Sequence, residues 1–186
     1  SLLLAACSQP NAAADSTPAT EPTTATQTAQ TEQPKAEIMP VSAHSDTQPT
    51  ILKNISATVY KDANCGCCEK WLTHIRERGF SVNAHNINNL YEFKQSKGIP
   101  ASMQSCHTAV SSQGYVFEGH IPAKFISRFL ATPPKDAIGL TVPAMPVGSP
   151  GMEYQDKFMP YQVLLLKNDG SSQVYAQVNS LEESVQ

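Results

Sequence analysis

Three cysteines occupy four consecutive positions, Cys65-Gly66-Cys67-Cys68, between a strand-like run and a helix-like run. The stretch Ile55-Ser56-Ala57-Thr58-Val59-Tyr60 alternates and carries β-branched residues, so it reads as a strand. From Glu69 to Arg78, Trp71, Leu72 and Ile75 recur at helical spacing, and Gly79 stops the helix. Thiols at such a junction meet unpaired backbone N–H groups and the positive end of the helix dipole, both of which favour thiolate over thiol. A strand–cysteine–helix unit therefore restricts the fold to an α/β arrangement. It restricts the chemistry to thiol redox exchange or soft-metal binding.

The composition changes at about residue 50. Residues 1–6, Ser1-Leu2-Leu3-Leu4-Ala5-Ala6, are apolar with small residues before Cys7, like the end of a secretion signal. The string Leu4-Ala5-Ala6-Cys7 resembles a bacterial lipobox, which predicts lipidation at Cys7. Ser8 then predicts sorting to the outer membrane, facing the periplasm. Residues 7–50 combine this anchor with a tether of Ala, Thr, Pro, Gln and Glu. Such a segment buries too little apolar surface to offset its ordering entropy and is expected to be disordered, spanning about 35–40 Å. Met39 and His44 within it are read as incidental.

No later apolar run is long enough to span a bilayer, so the lipid is the only expected membrane contact. Residues 51–186 suit one domain with a core of its own. Basic and acidic residues nearly cancel there, and no basic stripe with interleaved aromatics appears, which argues against a nucleic-acid partner.

Phe80 to Ile87 alternates as a second strand, and Asn89 to Lys97 reads as a helix capped by Asn88 or Asn89 and ended by Gly98-Ile99-Pro100. Thr108–Ser111 and Tyr115–Glu118 form an expected hairpin around Gln113-Gly114, and Ala123 to Ala131 a short helix. This order of strand, helix, strand, helix, hairpin and helix over residues 51–131 is that of a thioredoxin-like fold. Residues 132–186 are expected to extend the same domain. A Pro/Gly-rich loop runs from Thr132 to Met159, followed by a hairpin of Gln162–Leu166 with Gln173–Val178 across the Asn168-Asp169-Gly170 turn.

Cys65 and Cys68 have the spacing of dithiol oxidoreductases, but Cys67 between them offers competing pairings. Three sulfurs on one turn make a chelate for a soft ion. Cys106-His107 precedes a strand and is placed beside the cluster in preference to Pro100. His120 ends the hairpin on the same side, either as a ligand or as a helix-capping residue. His74 and His85 lie inside regular elements and read as structural. Met145 and Met152 are thioethers on the Pro/Gly loop that suit copper(I) or plug the core; Met103 and Met159 are weaker candidates. Zinc sites take ligand pairs from separate knuckles, so softness selects copper(I) here, with room for more than one ion. The alternatives are a thiol–disulfide oxidoreductase, or structural bridges paired 65–68 or 67–106.

The region from about Ile55 to Val178 resembles the CopG-like family of periplasmic copper-resistance proteins. The resemblance rests on Cys65-Gly66-Cys67-Cys68 followed by Lys70-Trp71, on Gly79-Phe80, and on Lys97-Gly98-Ile99-Pro100. It continues through Ser105-Cys106-His107-Thr108-Ala109, Glu118-Gly119-His120-Ile121-Pro122-Ala123 and the run from Met145 to Glu153. It implies a thioredoxin-like domain, copper binding at Cys65, Cys67, Cys68 and Cys106 with His107 and His120 beside them, and a role in copper tolerance. Other periplasmic copper-handling proteins are the expected partners, with interconversion of copper(I) and copper(II) a possible activity.

Overall fold

The computed structural model describes residues 55–186; Cys7, the tether and the four residues after it lie outside the described residues. Strand β1 (Ser56–Lys61) leads into helix α1 (Gly66–Glu77), then β2 (Ser81–Asn86) and α2 (Leu90–Ser96). A 3₁₀ turn (Ala101–Met103) precedes β3 (His107–Ser111), β4 (Val116–Glu118) and α3 (Ala123–Ala131). The chain continues through β5 (Ala137–Thr141), β6 (Tyr161–Lys167), β7 (Ser172–Val178) and α4 (Leu181–Val185).

The fold is mixed α/β around one seven-stranded sheet of order β2-β1-β3-β4-β5-β6-β7. β1 runs parallel to β2 and β4 to β5; every other neighbouring pair is antiparallel. Among the described residues, no helix is long and apolar enough to cross a membrane.

Alternation in β1 turns Ala57, Val59 and Lys61 into the interior and leaves Ser56, Thr58 and Tyr60 on the other face. Helix α1 buries Cys68, Trp71, Leu72 and Ile75, the last three in one core with Phe80 before β2 and Val82 within it. The connection between β1 and α1 is short and closed by its own polar groups. Asn64 N donates to Asp62 Oδ1 (2.7 Å), and Cys65 N donates to Asp62 O (3.2 Å), which leaves Cys65 as the residue that opens the helix. Buried Lys61 steadies this turn by donating to Asp62 O and pairing with Glu69 on the first turn of α1 (2.7 Å). Helix α1 begins at Gly66, three residues before the start expected from periodicity, because Gly66, Cys67 and Cys68 form its first turn.

Two further elements depart from the expectation. The stretch read as a loop from Thr132 to Met159 contains β5, a sheet strand between β4 and β6. Its five residues include Gly139, where a Cβ would lie 1.7 Å from the Val116 carbonyl oxygen, so close backbone approach requires a glycine that masks the strand signal. The C-terminal helix α4 was not expected either; Ser180 caps it, accepting from Glu183 N (3.2 Å). Leu140, Val163, Leu165 and Val178 from β5–β7 pack in the same core as Val59, Trp71, Phe117 and Phe129. The hairpin of β6 and β7 across Asn168-Asp169-Gly170 is present, with a register shift between Val163 and Leu164.

Candidate metal centre

Four sulfurs meet where the start of α1 faces the loop before β3. Cys106 Sγ lies 3.5 Å from Cys68 Sγ and 3.9 Å from Cys67 Sγ, and Cys65 Sγ lies 3.5 Å from Cys67 Sγ. Cys65 and Cys68 are bonded as a disulfide, leaving Cys67 and Cys106 as free thiols. Of the two pairings open from sequence, the 65–68 bridge is the one present. One ligand atom from each of the four cysteines falls within 4.8 Å of every other.

Cys106, rather than Pro100, is the neighbour of the cluster, because β3 pairs antiparallel with β1 (Lys61 opposite His107) and brings its first residues to the end where α1 starts. Two imidazoles complete the group. His107 Nδ1 lies 3.3 Å and His120 Nε2 2.9 Å from Cys106 Sγ, so Cys106, His107 and His120 form a second ligand-sized cluster sharing one sulfur. His120 Nδ1 faces the Pro150 carbonyl at 2.8 Å. A carbonyl only accepts, so Nδ1 carries the proton and donates, and Nε2 presents its lone pair to Cys106. His107 Nε2 is fully enclosed and, among the described residues, has no hydrogen-bond partner.

The surrounding contacts pack other segments against the sulfur group, in which Cys65, Cys67 and Cys106 are half-exposed. Trp71 Nε1 donates to Ile121 O (2.9 Å) and its ring lies 4.4 Å from that of His107. Gly151, at φ 86°, sits directly against α1: a Cβ there would lie 2.6 Å from the Cys67 carbonyl oxygen and 2.8 Å from Trp71 N. Burial pushes the Cys106 thiol up to about 12, and the charge of Cys67 beside it adds to the rise. His107 and His120 are both held below the ordinary imidazole range by burial, in His107 with the help of the His120 charge. Cys106 is therefore a neutral thiol beside two neutral imidazoles, so its sulfur must first lose a proton before it can hold a soft cation.

The expected structural histidines stand apart from this group. His74 is buried on α1 and its Nε2 accepts from Ala123 N (3.2 Å), the first N–H of α3. His85 is exposed on β2, its ring edge-on to Tyr60. Met145 is exposed and Met152 half-buried, on either side of the Pro150-Gly151 backbone that touches the site. Met103 is half-buried and packs in a separate small cluster with Ile99, Val116 and Leu166; Met159 is exposed. Sequence reasoning missed the Pro150 carbonyl, which no side-chain pattern marks, and the buried pair of Lys94 and Glu118 bonded to Ser105.

An α/β scaffold that brings four cysteines and two histidines together at a helix start offers a sulfur–imidazole group of the size that could hold a metal ion. A family model described as a protein of unknown function, DUF411, matches residues 103–152. Two solved structures of copper resistance protein CopG, forms 1 and 2, are each 42% identical to this chain and match it with TM-scores of 0.63 and 0.64. Each alignment covers 67% of this chain and 98% of the solved chain. No curated protein matches. The chain belongs to the CopG-like copper-resistance family.

Proposed function

We propose that this protein is a periplasmic copper-binding protein that contributes to copper resistance. With the Cys65–Cys68 bridge opened by a two-electron thiol reductant, its ligands for copper(I) are Cys65, Cys67, Cys68 and Cys106, with His107 and His120 beside them. One observation carries the reading: Cys106 belongs to both the four-sulfur group and the cysteine–histidine group, so sulfur and imidazole donors meet at one place. Thiolates select a soft ion and imidazoles tolerate either copper oxidation state, which is the basis for proposing storage of more than one ion and copper(I)/copper(II) interconversion. Met145 and Met152 are proposed as thioether ligands from the adjoining loop.

The β2-β1-β3-β4 order, with β3 antiparallel to both neighbours, supports a thioredoxin-like reading of the first half of the domain. The apolar start, Cys7 and the polar tether are the basis for proposing export and a lipid anchor, with other periplasmic copper-handling proteins as partners.

The test is an anaerobic copper(I) titration of the reduced protein against a chromophoric chelator. Tight binding that is lost in Cys67→Ser/Cys106→Ser is the expected result; unchanged affinity in that variant overturns the site. A second reading, thiol–disulfide oxidoreductase, is favoured by the Cys65–Cys68 bridge with the free Cys106 thiol 3.5 Å from Cys68 Sγ. It requires disulfide-reducing activity without metal, lost in Cys65→Ser or Cys68→Ser.

A further inference from the structure

Bonded to Ser105, the residue before Cys106, is an ion pair with almost no access to water: Glu118 is 0% and Lys94 2% exposed. Removing two charges from water costs several kcal/mol per ion, and such pairs are seldom more stabilising than apolar residues of the same size. The fold has little to gain from this pair as a source of stability. What it does is visible in its hydrogen bonds.

Glu118 Oε1 accepts from Lys94 Nζ and from Ser105 N (2.6 Å), and Oε2 accepts from Thr108 Oγ1. Lys94 Nζ donates in addition to Ser105 O (2.7 Å). Both backbone groups of Ser105 are thus held, and so is the side chain of Thr108. Cys106 and His107 lie between those two anchor points. Cys106 needs such an anchor, because it stands before the first residue of β3 and the paired register of β3 with β4 reaches only to Thr108 opposite Glu118. On the other side, Glu118 is followed by Gly119 and His120. Gly119 N donates to His107 O (2.9 Å), and a Cβ on Gly119 would lie 2.6 Å from Ser105 Cβ. The same carboxylate therefore stands at the junction of both segments that carry site side chains.

We propose that Lys94 and Glu118 are positioning residues of the metal centre, holding Cys106 against the Cys65–Cys67–Cys68 turn and at the 2.9 Å separation from His120 Nε2. As an account of copper binding this rests on the function proposed above; as an account of where Cys106 sits it does not. Outer groups that orient metal ligands change affinity by about 10–100-fold when removed.

The experiment uses Lys94→Met/Glu118→Gln, which removes both charges together, since either single change leaves one buried charge unpaired. The first readout needs no metal. Reduced wild-type and variant proteins are oxidised mildly with diamide and their bridges mapped by mass spectrometry. Wild type is expected to form Cys67–Cys106 beside Cys65–Cys68, and the folded variant to form several-fold less of the Cys106 bridge. The second readout is anaerobic copper(I) affinity, expected to fall about 10–100-fold in the variant and not to fall further when the pair is replaced in a Cys106→Ser background.

Should the double variant not fold, Thr108→Val, which cuts one anchor and leaves the ion pair whole, is expected to shift both readouts in the same direction by less. An unchanged share of the Cys106 bridge in the folded variant overturns the proposal, as does an equal loss of affinity with and without Cys106. If the bridge falls but wild type itself does not retain copper(I), the positioning role stands and the copper reading fails.

Discussion

Cys106 is the residue on which the chemistry turns, because it touches both halves of the site. Its thiol, raised by burial to about 12, is protonated in the metal-free protein at neutral pH, so a bound cation must displace that proton. Metal affinity then falls as pH falls, by about tenfold per pH unit for each proton displaced. Copper(I) affinities of the reduced protein at pH 6, 7 and 8 are expected to rise steadily. In Cys106→Ser they should be weaker throughout and rise with a slope smaller by one proton. An identical slope in the two proteins would remove Cys106 from the ligand set.

The elements around the site are joined by contacts that titrate or that tolerate no added atom. His74 of α1 accepts the first N–H of α3, which requires a neutral ring; burial, and then the Arg78 charge, lower it from the ordinary 6.5 to about 3. A folded value below the unfolded one means the contribution is complete above about pH 6.5 and is lost as pH falls toward 3. Thermal melts between pH 7 and 4 are therefore expected to fall more steeply for wild type than for His74→Gln, which keeps an acceptor without titrating. Part of the slope remains in the variant, because burial lowers His107 and His120 as well.

The loop through Pro150 comes directly against α1 at Gly151. Gly151→Ala meets the Cys67 carbonyl oxygen and a strained φ together, and should cost about 1–3 kcal/mol in chemical denaturation. The same change moves Pro150 O off His120 Nδ1 and is expected to weaken copper(I) binding. Unaltered stability and affinity would mean that the loop does not buttress the site.

Among the described residues, the strands beyond β4 share the main core and are not an appendage to a four-stranded unit. Leu140, Val163, Leu165 and Val178 pack with Trp71 and Phe129, and β5 covers the open edge of β4. A chain ending at Ala131 is expected to give no cooperative melt by circular dichroism. A cooperative unfolding transition in that truncation would show residues 51–131 to be autonomous.

The sequence by itself determined most of the elements. Period-2 alternation marked β1 and β2, helical spacing of Trp71, Leu72 and Ile75 marked α1, and an Asn-Asp-Gly turn marked the last hairpin. It also narrowed the chemistry on offer, since three thiols on one turn suit redox exchange, a soft metal or structural bridges. Strand β5 stayed hidden because the glycine that lets its backbone approach Val116 reads as a loop signal, and α4 because five residues carry too little periodicity.

The tertiary structure alone decided which distant groups converge. Antiparallel pairing of β3 with β1 carries Cys106 and His107 to the start of α1, and the turn after β4 returns His120 to the same point. The loop beyond β5 supplies the Pro150 carbonyl, and α2 the lysine beneath Ser105. Spacing along a chain records which residues share one face of one element. The side chains that meet at this site come from several elements, and strand order and register place them.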